Sequence, residues 1–292
     1  VTEVLTRPVL RYHGGKWRLA PWIIGHFPPH RIYTEAFGGA ASVLLRKDRT
    51  YSEVYNDLDG EVVNLFRVLR SPTQAQALER LLRLTPFARE EFVREEFVLS
   101  YEPSSDPVEQ ARRTVTRSFM GFGSAAVMGR PSGFRANSDR SGTTPAHDWR
   151  NLPQALPAIT RRLAGVVIEQ RSALDILRQH DRSDALHYVD PPYVHETRAA
   201  GNPYCGKHYY RHELTDEQHV ELAATLHDLQ GAVVLSGYPS ELYRRLYGDW
   251  HQVKHRAYAD GARTRVEVLW LNPAAVRGLG QVQPGLSMGG GV

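Results

Sequence analysis

Apolar positions along the chain fall into short runs alternating with helical spacings, and one long helical stretch interrupts that rhythm. Leu19 to Phe27 carries helical signals that end at Pro28-Pro29. Arg31 to Glu35 reads as a strand and runs into the small-residue turn Ala36-Phe37-Gly38-Gly39-Ala40-Ala41-Ser42, with a short helix over Val43 to Arg46. A second strand, Tyr51 to Asn56, ends at Asp57. From Asp59 to about Met120 the spacing is helical: Val62, Val63, Leu65, Phe66 and Leu69 carry one helix, and Leu78, Leu81 and Leu82 another. Thr85-Pro86 reads as the start of a third, and Val108 to Phe119 as a further one after the loop Pro103 to Pro107. Gly121 to Asn151 is the least regular part and is expected to be a long loop.

The alternating rhythm then resumes. Val166 to Glu169 is a strand, Ala173 to His180 a helix and Ala185 to Val189 a buried strand. After the loop Val194 to Glu213, Thr215 to Gln218 forms a capping box that opens a helix through Leu229. Ala232 to Ser236 is a buried strand and Ser240 to Tyr247 a short helix. His251 to Ala257 and Thr264 to Leu271, separated by the turn signal Asp260-Gly261, predict a closing antiparallel hairpin. Strand, small-residue turn, helix, strand is the first unit of a doubly wound α/β sheet, whose turn receives a cofactor. The pattern thus predicts an α/β part made of residues 1–70 and 165–275, a mainly helical insertion over 71–164, and a disordered tail over 276–292.

Three stretches carry chemistry. Val189-Asp190-Pro191-Pro192-Tyr193 ends the buried strand Ala185 to Val189 in a stiff turn, because neither proline donates a backbone N–H and each fixes its own φ. A carboxylate, free carbonyls and a ring face suit a planar ligand with an amino group: the oxygens accept its hydrogens and the ring stacks on the heterocycle. Gly14-Gly15-Lys16 lets a backbone approach a ligand beside a cation. It is not a nucleotide P-loop, since Trp17 replaces the hydroxyl residue and the first glycine and preceding strand are missing. Asp57, 18 residues beyond Gly39, is placed for ribose hydroxyls. Without G-x-G-x-x-G, NAD is disfavoured.

Composition and charge narrow the partners. Net charge is only +4, yet Ala111 to Gly165 holds nine arginines against two aspartates, so one basic segment sits on an otherwise slightly acidic chain. That suggests a surface for a phosphate polymer, and the interspersed Phe122, Phe134 and Trp149 fit groove or phosphate contact. A single cysteine, Cys205, excludes an internal disulfide framework and points to a reducing cytoplasm. No 18-residue apolar stretch or secretory signal is seen, so no membrane partner is expected. The 13 histidines include no H-E-x-x-H, and one cysteine makes no Cys-rich zinc site, so no metal is expected. No G-x-S-x-G elbow is present, and Cys205 follows Tyr204 rather than the proline that cytosine-C5 chemistry requires.

Phe37-Gly38-Gly39-Ala40-Ala41, Asp190-Pro191-Pro192-Tyr193, Gly14-Gly15-Lys16 and the helical insertion occur in an order that resembles the Dam-type DNA adenine-N6 methyltransferases, over about residues 8 to 273. The resemblance implies a Rossmann-like S-adenosylmethionine-dependent sheet with an antiparallel edge hairpin, a target-recognition domain between the cofactor motif and DPPY, and double-stranded DNA as substrate. Carried over by motif position, Tyr12, His13, Gly14, Gly15 and Lys16 line the cofactor pocket, Phe37 and Gly39 lie against the cofactor, and Asp57 holds its ribose. Asp190 borders the cofactor and, with Pro191, Pro192 and Tyr193, holds a flipped adenine. Arg117, Arg130, Arg135, Asn137 and Arg140 of the basic segment are the candidates for DNA contact, arginine suiting guanine edges and asparagine adenine edges. Three departures stand out: Ala41 where the family's F-x-G-x-G turn ends in glycine, Arg171-Ser172 where relatives often carry an acid, and Phe134-Arg135-Ala136-Asn137 as only a fragment of the GATC-recognition pattern. Two alternatives remain open at this point, a cytosine-N4 methyltransferase and a DNA-binding protein with a degenerate cofactor pocket.

Overall fold

A seven-stranded sheet organises the chain. The computed structural model describes residues 5–99, 103–122, 132–137, 142–197, 211–258 and 264–282. Its strands are β1 (Ile32–Glu35), β2 (Ser52–Asn56), β3 (Val166–Glu169), β4 (Ala185–Val189), β5 (Ala232–Gly237), β6 (His251–Tyr258) and β7 (Thr264–Leu271). They lie in the order β3-β2-β1-β4-β5-β7-β6; β1 to β5 run parallel, and β7 is antiparallel to both β5 and β6. This is the Rossmann-like sheet with an antiparallel edge hairpin. The central strands β4 and β5 are buried along their whole length, which explains why they read as continuous apolar runs and not as alternating ones.

Strand order reverses between β1 and β4, so the chains leaving those strands diverge and open a crevice at the carboxyl edge. Around the sheet lie α1 (Ala20–Ile24), α2 (Ser42–Arg46), α9 (Ala173–Gln179), α10 (Asp216–Asp228) and α11 (Glu241–Leu246). The insertion between β2 and β3 comprises α3 (Gly60–Arg70), α4 (Pro72–Leu84), α5 (Arg89–Leu99), α6 (Pro107–Met120), α7 (Pro145–Asn151) and α8 (Leu156–Leu163). It does not stand apart from the sheet: one continuous apolar cluster joins Tyr33, Tyr55 and Leu186 to Phe66, Leu78, Val115 and Leu163.

Several expected elements change. Thr85 closes α4 and does not open the next helix: its hydroxyl donates back to the Leu81 carbonyl, 2.9 Å away. Pro86 disfavours helical backbone at the residue before it, so helix resumes only at Arg89. Within Gly121 to Asn151, Gly121 and Phe134 form an antiparallel bridge, and Thr144 caps α7 through its side chain. The tail expected from residue 276 begins instead as helix α12 (Pro273–Val282). Asn272 holds its start, its side-chain oxygen accepting from the Ala275 and Val233 amides. The turn Asp260-Gly261, Cys205 and the loop residues 198–210 lie outside the described residues.

Candidate active site

Glu35 ends β1 at the crevice and is fully enclosed. Its Oε2 accepts from the Tyr33 hydroxyl at 2.7 Å and the Leu44 amide at 2.8 Å. Burial pushes its pKa up to about 8, against which those two donors act, while nearby Asp190 adds to the rise. A folded pKa above the unfolded value means the native state holds the extra proton. The contribution is therefore complete below about pH 4.5 and is lost as pH climbs through 8, up to roughly 5 kcal/mol. Glu35→Gln is expected to flatten that decline in urea midpoints measured from pH 6 to 9; an unchanged slope would assign the decline elsewhere.

The turn after β1 is built around aromatic rings of its own chain. The Tyr55 hydroxyl donates to the Gly39 carbonyl at 2.7 Å, and a Cβ on Gly38 would lie 2.1 Å from the Tyr55 ring. Gly39 has φ +46° and faces the Tyr12 ring, so both backbone and space require glycine there. Ala41, at φ +51°, is the one non-glycine residue with positive φ among the described residues. A left-handed alanine costs roughly 1–2 kcal/mol. Ala41→Gly relieves that strain but loosens the unfolded chain, so a net gain of about 1 kcal/mol and a rise of a few degrees in Tm are expected. A lower Tm would show that the buried methyl matters more than the backbone.

Asp57, at the end of β2, holds this turn closed. Its Oδ2 accepts from the Gly39 amide at 2.7 Å and its Oδ1 from the Asp59 amide at 2.8 Å. Burial raises its carboxyl above the ordinary range while the two amides pull it back. Asp59 caps α3 and pairs with Arg211 at 3.1 Å.

Asp190 leaves β4 beside the crevice. The Ser236 hydroxyl donates to its Oδ1 at 2.7 Å, and Lys16 Nζ lies 2.9 Å from its Oδ2. The same ammonium donates to the Gly14 carbonyl at 2.9 Å and sits 4.8 Å over the Tyr193 ring. A carboxylate, a carbonyl and an aromatic face thus converge on one N–H-bearing cation. Tyr193 is fixed by Tyr238, 4.5 Å away edge to face, and by Glu267 of β7, whose Oε2 accepts its hydroxyl at 3.1 Å. Glu267 is 7% exposed and was not apparent from the sequence. Its signal was an acid among the apolar residues of a closing strand, Val266 to Leu271.

One cavity of about 420 Å³ opens between these groups. Tyr12, His13, Gly14, Gly15, Lys16, Phe37, Gly39, Asp57, Asp190 and Pro192 all border it, whereas Pro191 and Tyr193 do not. Two buried polar atoms on residues of its wall have no partner, Ser42 Oγ and Asp59 Oδ2. Unsatisfied acceptors of this kind suit a ligand's hydroxyl or ammonium groups, so the donor set fits a polar nucleoside cofactor. Arg171 and Ser172 are not among the bordering residues, whereas Ala173 and Leu58 are. Among the described residues no three His, Cys, Asp or Glu side chains cluster as a metal site, and no helix is long and apolar enough to cross a membrane.

The basic segment does not form one surface. Arg117, expected at DNA, is 2% exposed and paired with Glu61. Arg135 is 5% exposed, donating to the Phe119 carbonyl at 3.1 Å. Arg112 and Arg113 pair with Glu109, and Arg162 with Glu53. Phe134 packs on Phe87, and Trp149 is buried with its indole N–H donating to the Thr85 carbonyl. These groups are matched by partners within one helix, on a neighbouring helix, on the backbone or on the sheet, which the one-dimensional charge count cannot register. Asn137 is exposed, as is Phe122, and Arg130 and Arg140 lie outside the described residues.

A doubly wound sheet with a polar cavity at its switch point, bordered by a DPPY carboxylate, defines a nucleotide-cofactor enzyme of the amino-methyltransferase class. Residues 12–258 match the model of the D12 class N6 adenine-specific DNA methyltransferases, and the chain belongs to that family. Relatives include the DNA adenine methylases of Salmonella typhi and of Salmonella typhimurium strain LT2. Each is 25% identical over 273 residues, covering 90% of this chain and 92% of the relative. The protein is an adenine-specific DNA methyltransferase, and its family implies S-adenosylmethionine as the methyl donor. This decides against the cytosine-N4 and DNA-binding-only alternatives.

Proposed function

We propose that the chain transfers a methyl group to N6 of an adenine flipped out of double-stranded DNA, with residues 1–70 and 165–275 as the catalytic part and 71–164 as the target-recognition part. The observation that carries this reading is the Asp190 carboxylate, held by Ser236 and Lys16 at the carboxyl end of β4 beside the cavity. Lys16, Tyr12, His13, Gly14, Gly15, Phe37 and Gly39 would enclose S-adenosylmethionine, with Asp57 and Asp59 facing its ribose and Ser42 its amino-acid end. When bound, that cofactor supplies an electrophilic methyl group on a sulfonium.

The chain's own residues do the positioning. N6 is paired inside the duplex, so the adenine must leave the stack at a cost of a few kcal/mol. Tyr193 stacks on it, returning about 1–3 kcal/mol. Asp190 and the Pro191 carbonyl accept from N6, turning its lone pair away from the ring and toward the cavity. The N6 amino group takes the place beside Asp190 that the Lys16 ammonium holds in the free protein, so Lys16 must withdraw from the carboxylate as the base enters. Holding both partners in line supplies most of the rate, with no covalent intermediate, and the N6 proton that the methyl group replaces would leave to Asp190 or to solvent. Asn137, Arg130 and Arg140 remain the proposed DNA contacts of the recognition part. A DNA-modifying enzyme of this kind would act in the cytoplasm, on the nucleoid.

The test is to incubate the protein with isotopically labelled S-adenosylmethionine and unmethylated plasmid, then digest to nucleosides for mass spectrometry. Label in N6-methyldeoxyadenosine is expected. Label confined to N4-methyldeoxycytidine, or none at all, would overturn the reading.

A further inference from the structure

We infer that the β6–β7 hairpin is a second DNA-contacting element, gripping the phosphate backbone from the catalytic side through Lys254 and Arg256. The inference rests on the assignment of Asp190 as the site that receives the base.

Strand register sets the hairpin's height. Val189 pairs with Leu235 on β5, and Gly237, the last residue of β5, pairs with Val268 on β7. Val268 in turn faces Lys254, and the ladder continues through His255–Glu267, Arg256–Val266 and Ala257–Arg265 to Tyr258–Thr264. Four residues of β7 therefore stand beyond the carboxyl edge, about 14 Å at roughly 3.4 Å per residue. Sideways, β7 is two strand spacings from β4, about 10 Å. B-DNA has a major groove alone about 12 Å wide, so a duplex delivering a base to Asp190 cannot sit over β4 without meeting this wall. The inserted helices leave the sheet after β2 and return to it at β3, the two neighbouring strands at the opposite edge. A duplex across the crevice would lie between the two.

The wall is chemically prepared for phosphate. Lys254 and Arg256 are exposed on it at and beyond the level of the sheet edge, and neither is ion-paired among the described residues. That contrasts with Arg112, Arg113, Arg117 and Arg162 of the insertion, whose charges are matched inside the protein. The hairpin is also not loosely attached: Glu267 ties it to Tyr193 and His255 stacks on Trp22, 4.8 Å between ring centres. Backbone contacts of this kind set register and orientation without carrying sequence information.

The experiment measures binding of the full chain to a short fluorescein-labelled duplex by anisotropy across a salt titration. Lys254→Gln and Arg256→Gln are compared with Arg31→Gln, which removes an exposed charge at the opposite, amino edge of the sheet. Each lost phosphate contact should lower the salt slope by about 0.9 and weaken binding about 8-fold at 0.1 M salt. The double variant should lose both, equally on duplexes of different sequence, with Arg31→Gln unchanged. An unaltered slope in the double variant overturns the inference, as does an equal loss from Arg31→Gln, which would reflect net charge only. Because the titration reads binding alone, it is independent of Asp190. Retained methyl transfer by Asp190→Ala would overturn the site assignment, whereas a dead Asp190→Ala beside unaffected hairpin variants would overturn only the hairpin.

Discussion

Asp190→Ala should lose about 10²–10³-fold in methyl transfer while binding duplex DNA within a few-fold of the unaltered protein. The carboxylate is proposed to be the acceptor that orients N6, and removing a preorganised partner of the reacting group typically costs about 10²–10³ in kcat. Two further losses follow from the geometry. Ser236 and Lys16 both direct donors at Asp190, at 2.7 and 2.9 Å, and its removal leaves them without that acceptor. Single-turnover incorporation of labelled methyl, measured beside duplex affinity, separates the steps. A variant that transfers at a near-normal rate would sink the assignment of DPPY as the base site. Asp190→Asn keeps a carbonyl acceptor but not the charge that holds Lys16, and should fall between the two.

The second large effect concerns stability. Arg162 of α8 reaches under α2 to Glu53 of β2, donating at 2.6 Å and 2.9 Å, and to the Leu44 carbonyl at 2.6 Å. Lys47 joins the same carboxylate at 2.7 Å, and all three side chains are buried. Burial pushes the Glu53 carboxyl up, but Arg162 and Lys47 outweigh it and hold it below its ordinary range. Arg162→Met leaves that carboxylate enclosed with a single cation, and breaking a buried pair on one side costs about 3–5 kcal/mol. Urea unfolding should show the lower midpoint. Adding Glu53→Gln should recover part of the loss, because the uncompensated charge is then gone. A single-variant cost under about 1 kcal/mol would mean the cluster is solvated enough to tolerate an unpaired carboxylate.

Arg162 also shows where one-dimensional reading stops. In the chain it is one of nine arginines between Ala111 and Gly165, a density that reads as a DNA surface. In space it serves the sheet, Arg117 serves α3, and Arg135 closes the base of the Gly121–Phe134 bridge. Charge counts carry sign and density, but whether a guanidinium meets solvent or a carboxylate depends on partners such as Glu61 and Glu53, which lie 56 and 109 residues away. The same limit hid Glu267, which touches Tyr193 across 74 residues. Thr85-Pro86 failed for a related reason: a hydroxyl before proline can cap forward or bond back, and the Leu81 carbonyl took it.

Local signals, by contrast, were sufficient for the architecture. Each βα unit writes its own apolar run and turn within a few residues, and the doubly wound rule then places the turn after β1, Asp57 after β2 and DPPY after β4 on one crevice. The sequence alone therefore determined the strand pattern and where the helices interrupt it, and its resemblance to the family supplied the class of chemistry; Glu35 and Asp59 of the cavity wall were not among the expected residues, and Pro191 and Tyr193 do not border it. Only the folded molecule decided which arginines are structural, that Lys16 occupies the place beside Asp190, that Ala41 is left-handed, and that the closing hairpin rises above the crevice. Backbone pattern is a short-range property and survives reading along the chain; ion pairs, register and exposure are set by contacts between distant segments, and appear only once those segments meet.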